Sequence, residues 1–171
     1  MTDPEAAPFA IRPARPDDVE AIAAMVCELA EYERLAGEAR ATPDDFRRHL
    51  FGDRPAAEAA IAEVGTDPVG LALWFTTFST FLGRPGIYLE DIYVRPPHRG
   101  RGIGKALLGM VARLAIDRGS GRLEWSVLNW NAPAIGFYEA MGARPVAGWT
   151  VYRLTGDPLQ LMARGPEDPP A

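Results

Sequence analysis

A chain of 171 residues has room for one domain of ordinary size and not for a second catalytic one. At this length folding buries roughly 70% of the chain's surface, so the core needs no disulfide or metal to hold it. Eighteen Lys and Arg against 23 Asp and Glu leave a net charge of -5, which lacks the basic footprint that nucleic acid or an anionic membrane rewards. The single cysteine, Cys27, cannot close an intramolecular disulfide, and the opening MTDPEAAPFAIRP has neither the basic start nor the apolar run of a secretory signal. These features read as a cytoplasmic protein.

Residues 1–8 and 164–171 are rich in proline, small and acidic residues and read as flexible tails around a single domain at 9–163. Phe9 to Arg12 is a short strand. Asp17 and Asp18 then favour the positive end of a helix carrying Val19, Ile22, Val26, Leu29 and Ala30 at helical spacing, which fades near Gly37. Thr42-Pro43-Asp44-Asp45 combines an N-cap, a proline in the first turn and acidic residues, and predicts a second helix to about Leu50. The period then changes to two. Ala59 to Val64, Val69 to Phe78 and Ile87 to Val94, separated by turn residues, predict three antiparallel strands. The longest uncharged stretch, Pro68 to Gly83, is too short and too rich in Thr and Ser for a membrane helix.

After Gly104, Leu107, Leu108, Val111, Leu114 and Ala115 mark an amphipathic helix that Gly119 ends. Leu123, Trp125 and Val127 alternate as a strand, Asn131 caps a short helix through Met141, and Trp149 to Leu154 supplies a last strand. The order β α α β β β α β α β makes an α/β domain. Cys27 reads as a small packing residue of the first helix, His49 as the end of the second and His98 as part of an exposed loop. Two histidines and one cysteine do not make a metal site.

The most informative local feature is Arg99-Gly100-Arg101-Gly102-Ile103-Gly104, between a strand and a helix. Glycines let backbone N–H groups converge on a phosphate, and the helix N-terminus and the two arginines add positive charge. A Walker A loop would need glycine at Arg99 and Ser or Thr at Ala106, and a dinucleotide fingerprint fails at Lys105.

The run Arg99-x-x-Gly102-x-Gly104 resembles the pyrophosphate loop of the GNAT N-acetyltransferases, and the order of elements matches that fold. Tyr88-Leu89-Glu90-Asp91-Ile92-Tyr93-Val94, Trp130-Asn131, Phe137-Tyr138, Gly148-Trp149 and Glu28-Leu29-Ala30-x-Tyr32-Glu33 resemble its spermidine/spermine and thialysine N-epsilon-acetyltransferase branch. The resemblance spans residues 11–163. It implies a GNAT-like fold, a mixed but mostly antiparallel sheet with helices on both faces, and acetyl transfer from acetyl-CoA, without metal, to an amine. It also implies a homodimer.

That chemistry poses two proton problems. A lysine-like amine with a pKa near 10.4 is mostly protonated at neutral pH, and uncovering its lone pair costs about 4.6 kcal/mol. The departing thiolate needs an acid, and the oxyanion wants a backbone N–H. The resemblance makes Tyr138 the acid and Glu90 the residue that accepts the amine proton through water. It sets Asp91, with Tyr32, Glu33, Trp130 and Trp149, on the substrate side. It aligns Ile92, Tyr93 and Val94 with the acetyl-pantetheine contacts, residues Arg99, Gly100, Arg101, Gly102, Ile103, Gly104 and Lys105 with the pyrophosphate loop, and Asn131 with a CoA contact. On structural grounds alone, Tyr138 also fits a core stripe with Ile135, Asn131 a helix cap, and Glu90 or Asp91 a bulged, solvated strand residue. Strand alternation puts Glu90 and Asp91 on opposite faces, so they are not expected to act as a pair.

Two departures bear on the acceptor. Phe78-Ser79-Thr80-Phe81 stands where the polyamine enzymes carry an aspartate, and Ala147 where both branches carry a glutamate. Their absence favours a lysine-like amino acid or short diamine over a long polyamine, and the acidic balance favours a cationic small molecule. An acyl-CoA-binding module without turnover, or an enzyme for a protein or peptide amine, are the alternatives.

Overall fold

The computed structural model describes residues 8–164. They fall into two compact units, one ending at Leu128 and the other beginning at Asn129. The first holds β1 (Phe9–Pro13), α1 (Val19–Tyr32), α2 (Pro43–Phe51), β2 (Glu58–Val64), β3 (Asp67–Ser79), β4 (Arg84–Val94), α3 (Ile103–Asp117) and β5 (Leu123–Glu124). The sheet order is β1-β2-β3-β4-β5. The first four strands pair antiparallel, and β5 lies parallel to β4, reached through α3.

The alternation of the strands divides the core between two faces. On one, Ile22 and Met25 of α1 and Leu50 of α2 pack with Ala59, Ile61, Leu71, Leu73 and Tyr93. Each fully buried aliphatic side chain there contributes roughly 1.5–3 kcal/mol. The other face carries the smaller residues Ala60, Ala62, Gly70 and Ala72, over which α3 lies. At Gly70 a Cβ would stand 3.2 Å from Ala62 Cβ and 3.3 Å from Ile103 Cγ2, so glycine lets the start of α3 reach the sheet. Helices therefore cover both faces, as expected.

Local chemistry explains the helix ends. Thr42 Oγ1 accepts from the Asp45 N–H and the Asp45 carboxylate accepts from the Thr42 N–H, closing a capping box before Pro43. At the front of α1, the Arg12 guanidinium donates to both Asp18 oxygens (2.7 and 2.8 Å) and to Glu63 (2.9 Å), latching β1 and β2 to the helix. These hydrogen bonds from Arg12 hold the Asp18 carboxyl below its usual range despite its burial. The helix α1 stops before Gly37. Arg34 takes φ 63°, and the Leu35 N–H reaches back to the Ala30 carbonyl (2.8 Å) and the Arg34 N–H to that of Glu31 (3.1 Å). That closes the helix with a non-glycine residue in the left-handed position.

The second unit holds α4 (Ala132–Ala140) and α5 (Gly156–Arg164). Asn131 caps α4 by accepting from the Ala134 N–H, and Gly142 follows at φ 91°. Three expectations are corrected here. Residues 149–154 form no strand: among the described residues none pairs with them, and a strand without a partner leaves its backbone groups to water. The helix α5 was not expected at all. The strand around Leu123 ends at Glu124 rather than Val127, after pairing only at Ile87 and Tyr88. In the first unit, Cys27 is exposed on α1 and not a packing residue.

Candidate active site

The strand β4 and the turn that follows it carry the two features of the site. The first is a bulge. Leu73 pairs with Asp91 and Trp74 with Leu89, so Glu90 has no partner on β3. The bulge breaks the period of two, turning the fully buried Leu89 to the α3 face and leaving Glu90 exposed. Asp91 shares its register with Leu73, on the α1 face, where it is half-buried. Burial, then the charges of Glu90 and Glu33, push its carboxyl up to about 6. Glu33, the C-cap residue of α1, is itself raised by burial. The bulge thus takes Glu90 out of the ladder, and the charges of Glu90 and Glu33 both bear on the half-buried Asp91.

Beyond the bulge, β4 offers bare main chain. The Arg95 N–H donates to Val69 of β3 (2.9 Å), so residues 93 and 95 face inward and Ile92 and Val94 turn their N–H and C=O groups to the opposite edge. Past Tyr88 that edge has no β5 partner among the described residues. There the Arg99 Nε–H reaches the Val94 carbonyl at 2.8 Å. Tyr93 puts its ring in the core and turns its main chain to Leu71 of β3, so of this run only Ile92 and Val94 present backbone groups at the open edge.

The second feature is the glycine turn. After a short 3-10 turn at Pro96–His98, Gly100 and Gly102 take φ 75° and 81°. A Cβ at either would meet nothing within 4 Å, so the glycines serve the backbone conformation and the space before them is open. Gly102 is the N-cap of α3 and no side chain caps it, leaving the first-turn N–H groups of Ile103, Gly104 and Lys105 turned toward that space. Lys105 is exposed and Arg101 half-buried, its Nη1 3.0 Å from His98 Nδ1. The half-buried His98 belongs to this turn, not to a freely exposed loop.

Arg99 behaves differently from its neighbours. Its guanidinium lies over the Tyr32 ring (5.0 Å) and the Tyr93 ring (5.6 Å), tying the glycine turn to the end of α1. A second tie escaped the sequence reading. Arg95 donates to Glu28 of α1 (2.9 Å) and to the Pro68 carbonyl (2.8 Å), fixing the helix against the end of β4. Its only sequence signal was an arginine directly after a strand. Burial, then the Glu28 charge, raises the Tyr93 hydroxyl.

The first unit thus gathers Tyr32, Glu33, Glu90, Asp91, Ile92, Val94 and the turn from Arg99 to Lys105. The second carries the remaining candidates. Asn131 is buried and spends its Oδ1 on the cap, Tyr138 is half-buried with its ring tilted on Phe137 (centroids 5.3 Å apart), and Trp130 and Trp149 are 44% and 77% exposed. Among the described residues no three His, Cys, Asp or Glu are grouped to hold a metal ion, and no helix is long and apolar enough to cross a membrane.

Comparison with known proteins gives this arrangement relatives. The acetyltransferase (GNAT) family matches residues 22–143. A thialysine N-epsilon-acetyltransferase of Sus scrofa is 37% identical over 164 residues, covering 90% of this chain and 96% of its own. An L-ornithine N5-acetyltransferase of Arabidopsis thaliana is 33% identical, covering 89% and 86%. Among solved structures, an integron cassette protein from the mobile metagenome of V. cholerae superposes with a TM-score of 0.77 at 24% identity, covering 91% of this chain and 98% of that one. That last likeness speaks for the fold alone.

Proposed function

Since the chain belongs to the GNAT acetyltransferase family and is an acetyl-transferring enzyme, we propose that it moves the acetyl group of acetyl-CoA to the primary amine of a small cationic acceptor, a lysine-like amino acid or short diamine. The observation that carries this reading is the division of labour along β4: an acidic corner at its bulge, then bare main chain, then a basic glycine turn opening α3. Carboxylates suit a cationic amine, and convergent N–H groups with Arg101 and Lys105 suit a pyrophosphate.

Acetyl-CoA, when bound, supplies the activated thioester. The turn from Arg99 to Lys105 would hold its pyrophosphate, and the outward main chain of Ile92 and Val94 its pantetheine arm. Gly100 and Gly102 fit this task, because the space a Cβ would take there is free. Asn131, whose Oδ1 caps α4 through the Ala134 N–H, would add a contact to CoA. Asp91 and Glu33, with Tyr32, Trp130 and Trp149, hold the acceptor. Glu90, exposed at the bulge, takes the amine proton through water, and Tyr138 returns a proton to the departing thiolate. With a pKa near 10 against about 8.5 for a thiol, a tyrosine can do so when placed within hydrogen-bond reach.

The relatives named for thialysine and ornithine support a short acceptor. So does the β3–β4 hairpin, where the buried Ser79 uses its hydroxyl to accept from the Leu82 N–H and no carboxylate stands between Phe78 and Phe81. We further propose a homodimer located in the cytoplasm, with no role for nucleic acid or membrane. Thiol release from acetyl-CoA tests the function. Turnover with thialysine, lysine or ornithine that collapses in Tyr138→Phe is expected. Acetyl-CoA binding without turnover on any amine would favour the binding module, and peptides outcompeting free amines would favour a protein acceptor.

A further inference from the structure

The α1 face of the sheet continues past Asp91. Two residues along β3 from Leu73, Phe75 pairs with Tyr88, and their rings stack with centroids 5.3 Å apart and planes at 28°. Both residues are half-buried, and Tyr88 Oη lies 2.6 Å from Ser126 Oγ, a hydrogen bond that holds the ring in place. At a rise of about 3.3 Å per residue, this aromatic shelf begins roughly 7 Å from the Asp91 position.

The strand β5 brings two charges to the same face. Glu124 stands opposite Tyr88 and Leu123 opposite Ile87, so the Glu124 side chain shares the Tyr88 face, and so does that of Arg122 two residues earlier. Gly86, the partner of Thr77 on this face, agrees: a Cβ there would stand 3.2 Å from Arg122 Cγ. Arg122 Nε lies 2.7 Å from Glu124 Oε2, with the two side chains 41% and 35% exposed. The ion pairs of Arg12 with Glu63, Arg95 with Glu28 and Arg118 with Glu58 join elements far apart in sequence. This one joins near neighbours at the surface, where a pair adds little stability. What it does present is a guanidinium beside a carboxylate, the complement of the carboxylate and ammonium carried on one α-carbon. Because the contact runs through Nε, the terminal N–H₂ groups of Arg122 can fork onto a carboxylate. Adding one strand spacing of about 4.8 Å, the Glu124 position lies roughly 8 Å from that of Asp91, a distance that a lysine-like side chain spans.

We propose that this shelf selects α-amino acids as acceptors: the side-chain ammonium lies at Asp91, the carbon chain rests on Phe75 and Tyr88, and the α-ammonium and α-carboxylate meet Glu124 and Arg122. The inference rests on the amine-acetylating reading of the site and narrows its acceptor, since a diamine has no carboxylate for Arg122.

Three acceptors of one chain length test it: lysine, cadaverine, which lacks the carboxylate, and 6-aminohexanoate, which lacks the α-ammonium. With the full chain and acetyl-CoA, kcat/KM for lysine should exceed that for either of the others by about tenfold, the lower end for hydrogen bonds to charged groups. Arg122→Gln should bring lysine down toward cadaverine, and Glu124→Gln should bring it down toward 6-aminohexanoate. A merely structural role for the pair would instead slow all three acceptors alike. Equal use of lysine and cadaverine by the unaltered protein, or variants that leave both ratios as they were, would overturn the proposal while acetyl transfer to amines still stood. No turnover on these three or on thialysine and ornithine would overturn that reading and this one with it.

Discussion

Replacing Asp91 by asparagine should stabilise the protein at neutral pH and leave it unchanged in acid. In the fold the Asp91 carboxyl is pushed from 3.8 up to about 6, first by burial and then by Glu90 and Glu33. Unfolded, it titrates near its ordinary value. Between these two pH values the folded chain keeps a proton that the unfolded chain has released, so stability falls as pH rises through the window. Above about 6 the penalty is fully present. A shift of about two units corresponds to about 3 kcal/mol, an upper limit because Asp91 keeps partial contact with water. Asparagine stands in for the neutral carboxyl and carries no such penalty. Urea denaturation of both proteins from about pH 4 to about pH 8 should show curves that converge in acid and separate above about pH 6, with the variant the more stable. A constant difference across the range would refute the reasoning, because it would mean that Asp91 ionises as an ordinary solvated carboxylate.

Three further outcomes follow from particular residues. Tyr138→Phe should lower kcat by roughly 10²-fold or more, the scale of general acid catalysis, while leaving acetyl-CoA binding intact by calorimetry. Gly102→Ala should cost about 1–2 kcal/mol in thermal or urea unfolding, since φ is 81° there although no atom obstructs the Cβ, and it should weaken acetyl-CoA binding along with stability. Arg34→Gly should raise stability by up to about 1 kcal/mol, because the left-handed φ of 63° that closes α1 suits glycine better than arginine.

Much of the fold was legible because its signals are local. The capping box at Thr42, the asparagine cap at Asn131 and the alternation through Ala59–Val64 state their structure in a few residues. What escaped depends on partners distant in sequence or on one dihedral. A bulge is a mismatch between two strands, so Glu90 and Asp91 alone could not show that Leu73 and Trp74 would skip a residue. The end of α1 was misjudged because Arg34, not a glycine, adopts the left-handed turn. Residues 149–154 have the alternation of a strand but no pairing partner among the described residues, and periodicity does not carry that information. The glycine turn was found from its spacing, yet the guanidinium of Arg99 over the Tyr32 ring joins the turn to the end of α1, far away in sequence, which only the fold brings together.

The most direct test of the account is to incubate the protein with acetyl-CoA and equimolar thialysine, ornithine, spermine and a lysine peptide, and to locate the acetyl group in the products by mass spectrometry. The account predicts acetylation of the side-chain amine of thialysine or ornithine, with spermine and peptide left largely unmodified. Acetyl groups found mainly on the peptide or on spermine, or on none of the four, would contradict it.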